Sequence, residues 1–181
     1  MKTKITLIIL STLLLLPMLA NAATPITDEI ANKYFGNCVA GAQKQGTMSQ
    51  QGQRNYCACT AMHMQQSMSQ EDLTALSSKD KAVARLALNK VLLNVNGPCM
   101  QYPVHDLLQN KCMTDLKNPA ICGCLSKKMG KYTAQQSQRM MPQILAQNPE
   151  IFDPLTPIME SQEFQQTQHS IALSCATNPN Q

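Results

Sequence analysis

The sequence predicts an all-α protein built as two diverged, disulfide-stapled helical-hairpin repeats behind an export leader, and three observations predict it. Apolar residues recur at three- and four-residue spacing between helix-cap signals. Strand formers are scarce: the 181 residues include no Trp, three Phe and four Tyr, which argues against a β-sandwich or barrel. The 8 Cys repeat one order twice. Cys38, Cys57, Cys59 and Cys99 are followed by Cys112, Cys122, Cys124 and Cys175, and each half reads C…C-x-C…C.

Residues 1–22 carry the parts of a cleaved signal peptide. Lys2 and Lys4 form a positive start, Ile5 to Leu16 is nearly unbroken aliphatic, and Ala20-Asn21-Ala22 offers a small-x-small cleavage site. The apolar run of about 12–15 residues is short of the ~20 that span a bilayer. No Cys lies beside the cleavage site, which disfavours a lipid anchor. The product should be periplasmic or secreted, soluble, and without stable membrane insertion. In such an oxidising compartment an even cysteine count reads first as a disulfide framework.

The repeat assignment divides the mature chain into residues 23–101 and 102–181. Asn55-Tyr56-Cys57-Ala58-Cys59 matches Ala120-Ile121-Cys122-Gly123-Cys124, and each is followed by a Met, Met64 or Met129. Two cap signals follow in turn, Ser69 to Asp72 and Thr133 to Gln136.

In the first half, Thr27 caps a helix with Asp28 and Glu29 in its first turn, where the helix dipole favours negative charge. Ile30, Tyr34, Cys38 and Ala42 share one face, and Gly46 ends the helix. A second helix over about 50–67 aligns Cys57, Ala61, Met64 and Met68. A short third begins after Ser69. A fourth, from Asp80 to about Val95, carries Val83, Leu86, Ala87, Val91 and Val95 and stops at Asn96-Gly97-Pro98.

In the second half, Pro103 opens a helix through Leu107, Leu108, Cys112 and Leu116. Asn118 then caps another with Pro119 in its first turn and Cys122, Leu125, Met129 and Tyr132 along its stripe. A separate helix is expected from Ala134 to about Gln147, interrupted or kinked at Pro142. Asn148 to Pro157 reads as a loop, and a last helix runs from about Ile158 to Cys175 with Phe164, Ile171 and Leu173.

Hairpin geometry pairs the cysteines. Residues two apart on a helix point about 200° apart, so the members of each C-x-C face different partners. Cys38 and Cys57 are balanced about the first turn, and Cys112 and Cys122 about the second. That selects Cys38–Cys57 and Cys112–Cys122 as hairpin staples and leaves Cys59–Cys99 and Cys124–Cys175 to tie each half's final helix back. Loops of this size are each worth roughly 3–4 kcal/mol in the chain-entropy account. Halves of about 75 residues with few aromatics need such staples, so the cysteines have a structural reason to exist.

Competing chemistries fare less well. A C-x-C near a helix N-terminus, with Lys127 and Lys128 after Cys124, could serve thiol exchange, yet each C-x-C already has outside partners. Cys57, Cys59, His63 and Met64 are soft donors that would suit copper. They cannot all share a helix face with Met68, and lysines replace Met62 and His63 in the second half. No metal and no cofactor is therefore expected, and a C-x-C thiol-redox or copper protein is the alternative. His105-Asp106 reads as a solvated helix start, and no hydrolase or phosphate-loop motif occurs. The net charge of +4 is too small for a dedicated nucleic-acid binder. Gln pairs such as Gln65-Gln66 and 12 Met, two of them in the leader, suit a neutral surface with adaptable apolar contacts. The expected role is non-enzymatic: binding of a protein or small ligand.

The run Tyr56-Cys57-Ala58-Cys59, with Cys38 upstream and a cap at Ser69 to Leu73, resembles small exported bacterial helical proteins of uncharacterised type. The resemblance implies an extracytoplasmic bacterial protein and assigns no activity to any residue.

Overall fold

The computed structural model describes residues 23–179, in which the regular structure is helical and the one extended pairing is an isolated bridge between Pro25 and Ser69. The leader assigned to residues 1–22 lies outside the described residues. No helix among the described residues is long and apolar enough to cross a membrane.

Helix α1 (Asp28–Gln45) starts where the Thr27 hydroxyl accepts from the Ile30 N–H, and ends at Gly46 in the left-handed region. Helix α2 (Gln50–Ser67) is capped by Ser49, whose hydroxyl accepts from the Gly52 N–H at 3.0 Å. Its predicted stripe of Cys57, Ala61, Met64 and Met68 is buried. The short α3 (Gln70–Ala75) begins with a reciprocal capping box between Ser69 and Asp72. Asp80 caps α4 (Lys81–Val91) by accepting from the Ala82 and Val83 N–H groups.

The expected stop at Asn96-Gly97-Pro98 does not occur. The chain passes from α4 through a π-turn (Leu92–Asn96) into α5 (Gly97–Cys99) and then α6 (Gln101–Asp115). Proline lacks an N–H and its ring crowds the carbonyl four residues back. Here the wider π-turn precedes Pro98, and Pro98 falls in the first turn of α5. Pro103 lies in the first turn of α6, as expected, and the 101/102 division falls at the start of that helix.

The second correction concerns Thr133. It caps nothing: α7 runs unbroken from Pro119 to Gln147. Thr133 is fully buried, and its hydroxyl donates to the Met129 carbonyl one turn back at 2.9 Å. Pro142 does not interrupt α7 either. Met140, Met141, Ile144 and Leu145 on both sides of it are buried in the core, and that packing outweighs one lost backbone bond. The third correction divides the last helix. It comprises α8 (Leu155–Glu160) and α9 (Gln162–Thr177), separated at Ser161, whose hydroxyl caps α9 through the Phe164 N–H.

Two apolar clusters result. The larger is organised on α7 and joins Leu92, Met100, Val104, Leu108, Met129, Met141, Ile158 and Phe164 with all four cysteines of the second half. Leu92 and Met100 enter it from the first half. The smaller comprises Ile26, Ala31, Met64, Met68 and Val95. Gly130 lets α6 cross close to α7: a Cβ there would stand 2.6 Å from the Gln101 carbonyl oxygen.

Candidate functional site

Disulfides join Cys38 to Cys57, Cys59 to Cys99, Cys112 to Cys122 and Cys124 to Cys175, which are the pairs the hairpin geometry selects. No described cysteine is free. The four soft donors Cys57, Cys59, His63 and Met64 do not converge. Cys57 faces Cys38, Met64 is buried in the smaller cluster, and His63 stands beside the Cys59–Cys99 bridge instead. The helical period explains the split, because Cys57 and Met64 share the buried stripe while Cys59 and His63 lie on another face of α2.

His105-Asp106 is also not the solvated helix start expected. Asp106 is buried, and its Oδ2 accepts from both the Ser49 N–H and the Ser49 hydroxyl at 2.8 Å. Its Oδ1 meets His105 Nδ1 at 2.9 Å. Burial alone would raise the carboxyl's pKa, but the bonds from His105 and Ser49 outweigh it and hold the group below the ordinary carboxylate range. Because Ser49 bonds the carboxylate directly rather than through the imidazole, the trio lacks the relay order of a nucleophilic triad. It ties α6 to the start of α2.

Electrostatic ties also fix α3. The Thr24 hydroxyl and N–H donate to Glu71 at 2.6 and 3.0 Å, and the hydroxyl's bond, followed by those of the Glu71 N–H and the Ser69 side chain, holds the Glu71 carboxyl down at about 2. Asp72 pairs with Lys90 of α4. Burial again opposes ionisation there, and the Lys90 and Ser69 bonds overcome it, so its pKa too is lowered.

Against that fixed frame lies an apolar groove of about 430 Å3, walled by Leu76, Ala84, Leu88 and Phe152, with Lys81, Arg85 and Glu150 at its rim. Arg85 organises the far wall. Its Nη1 donates to the Ile151 carbonyl at 2.8 Å, its Nη2 pairs with Glu150 at 3.3 Å, and its guanidinium lies 5.0 Å from the centroid of the Phe152 ring. Phe152 is nonetheless 72% exposed. On α4 itself Leu86 is 71% and Val83 41% exposed. Both belong to the apolar positions read on this helix. The stripe on α4 is wider than the surface available to cover it: Ala87 is buried against the body, while Val83 and Leu86 face away. Arg85 and Phe152 were not singled out by the sequence, because Arg85 reaches this loop across 66 positions, to Ile151, and the loop at Asn148 to Pro154 carries no periodicity. A lone Phe in a proline-rich loop was the available signal.

Fold and site together define a disulfide-stapled all-helical protein with an open apolar groove that Lys81 and Arg85 help to line. No family model, curated protein or solved structure matches the chain.

Proposed function

We propose that the protein is an exported, non-enzymatic interaction factor of the periplasm or extracellular medium. Its α4 groove would take an apolar protein segment that carries a carboxylate beside its apolar side chain. The observation that carries this reading is the exposure of Phe152 and Leu76 on a groove that the Asp72–Lys90 pair and Arg85 hold in place. A contiguous exposed apolar patch rimmed by polar residues marks a contact site. The occupant's charge follows from the rim. Glu150 answers Arg85, while Lys81 is exposed and has no ion-pair partner among the described residues.

Four disulfides support an oxidising compartment, and the reading includes removal of residues 1–22 after Ala22. N-terminal sequencing of exported material should begin at Ala23. Duplication is part of the same proposal and rests now on the bridges alone. In each half the first Cys staples a hairpin, and the second member of C-x-C ties back the half's last cysteine. The likeness of the Tyr56 to Cys59 run to exported bacterial helical proteins agrees with that setting.

The groove is tested with 1-anilinonaphthalene-8-sulfonate, an apolar ring system with one anionic group. It should bind the native protein with enhanced fluorescence. Phe152→Ala and Lys81→Glu should each weaken binding about tenfold, the effect of ~1.4 kcal/mol, with unchanged helical circular dichroism. Equal binding by both variants would remove the groove from the proposal.

A further inference from the structure

Cys59 and His63 are one turn apart on α2 and therefore share a face. Cys99 comes to the same face from α5, directly after the π-turn and Pro98. The two sulfurs and a ring nitrogen of His63 lie within 4.8 Å of one another. Among the described residues no other bridge has a His, Asp or Glu donor so placed against both sulfurs. Access differs as well. Cys59 and His63 are half-buried at the surface, and Cys99 lies fully buried behind them. The two bridges of the second half have both partners buried in the main core.

We infer that Cys59–Cys99 is a redox-gated metal site, closed as a disulfide and opened by a dithiol into a Cys2His site for a thiophilic d10 cation such as Zn2+. The dithiol's thiolate attacks the more accessible Cys59 sulfur and forms a mixed disulfide, while the electron pair of the S–S bond leaves on Cys99, which takes up a proton. The second thiol of the reagent then displaces Cys59, the reagent leaves as its cyclic disulfide, and Cys59 is protonated. Two electrons have passed from dithiol to protein. Binding of Zn2+ releases two thiol protons and gives two thiolates and one neutral imidazole, with water completing a tetrahedron.

The geometry allows this with little movement. Zn–S bonds of about 2.3 Å and Zn–N bonds of about 2.0 Å place donors roughly 3.5–3.8 Å apart in a tetrahedron. The Cα atoms of Cys59 and Cys99 are 5.8 Å apart, so rotation of the two side chains separates the sulfurs that far. The backbone on both sides is otherwise anchored. Cys57 remains bridged to Cys38, and Leu92 and Met100 on either side of the Cys99 segment are buried in the main core. Soft thiolates with one imidazole select Zn2+ or Cu+ over hard cations. The proposal is independent of the α4 groove.

Limited dithiothreitol treatment of the whole protein, followed by alkylation and peptide mass spectrometry, should label Cys59 and Cys99 before the four cysteines of the second half. After removal of the reagent, Zn2+ alone should bind one per chain and protect both thiols from alkylation, with helical circular dichroism retained. The oxidised protein should bind none at the same concentration. His63→Ala and His63→Gln should keep the bridge when oxidised and, once reduced, bind Zn2+ at least tenfold more weakly. Earlier opening of a second-half bridge, unfolding on opening of this one, or equal Zn2+ affinity in both His63 variants would each overturn the inference.

Discussion

The two halves place the same arrangement of disulfides in different surroundings. In the second half Cys112, Cys122, Cys124 and Cys175 are all members of the main apolar core, packed with Leu108, Leu125, Met129 and Phe164. In the first half neither bridge belongs to an apolar cluster, and each joins a buried cysteine to a half-buried one. Helix α1 buries Ala31 alone. The second half would therefore keep much of its packing without its sulfur, whereas in the first half the covalent bond substitutes for packing. One cysteine pattern thus performs two physical tasks, and the accessible set is also the one that places an imidazole beside a disulfide.

Paired removal of bridges is the strongest way to break that contrast. Cys124→Ser with Cys175→Ser opens a loop of 51 residues, which costs about 4 kcal/mol in chain entropy. It also leaves two hydroxyls in the core, so calorimetry should show a global loss in Tm of about 10 °C or more. Cys38→Ser with Cys57→Ser opens 19 residues, worth about 3 kcal/mol, but the effect should be local. Trypsin should cut at Lys33 and Lys44 before any site in α7, with the main calorimetric transition little changed. Reversal of the two outcomes would abolish the distinction between the halves.

The seam between the halves gives an intermediate effect. Asp106→Asn removes the negative charge from the oxygens that meet Ser49 and His105 and should cost about 1–3 kcal/mol at neutral pH in urea unfolding. Because the folded-state carboxyl is held below its ordinary value, this stabilisation is complete above the unfolded pKa of about 3.9 and is lost as pH falls toward the folded value. The gap between wild type and variant should be constant above about pH 5 and shrink below about pH 4. A gap that widens on acidification would contradict the bonding assigned to Asp106.

The smallest effect belongs to the second hairpin's turn. Lys117 sits at φ 52°, a left-handed conformation that side chains disfavour. Lys117→Gly should raise stability by up to about 1 kcal/mol, read as a small rise in the urea midpoint. Loss of stability would show that the lysine side chain contributes to the turn.

Much of the helical outline was legible because its signals are local. Thr27, Ser69, Asp80 and Asn118 each cap the helix that follows, by a hydrogen bond within three residues. Thr133 carries the same local signal and fails, since a buried hydroxyl can bond the carbonyl one turn back as readily as it can cap. Pro98 was read as a stop and Pro142 as an interruption or kink for a comparable reason. Their local cost is real, and the packing of Leu92, Val95, Met141 and Ile144 around them exceeds it.

By itself the amino-acid order determined which stretches coil, which sulfurs lie equidistant from a turn, and which neighbours must face apart. Those are consequences of a 3.6-residue period and of chain length, and no distant contact is needed to impose them. Tertiary structure alone decided that Val83 and Leu86 stay uncovered, that Arg85 reaches Phe152, that Asp106 is enclosed by Ser49, and that His63 stands against a disulfide. Each depends on how helices remote in the chain approach one another, and burial is a property of that approach rather than of any single helix face.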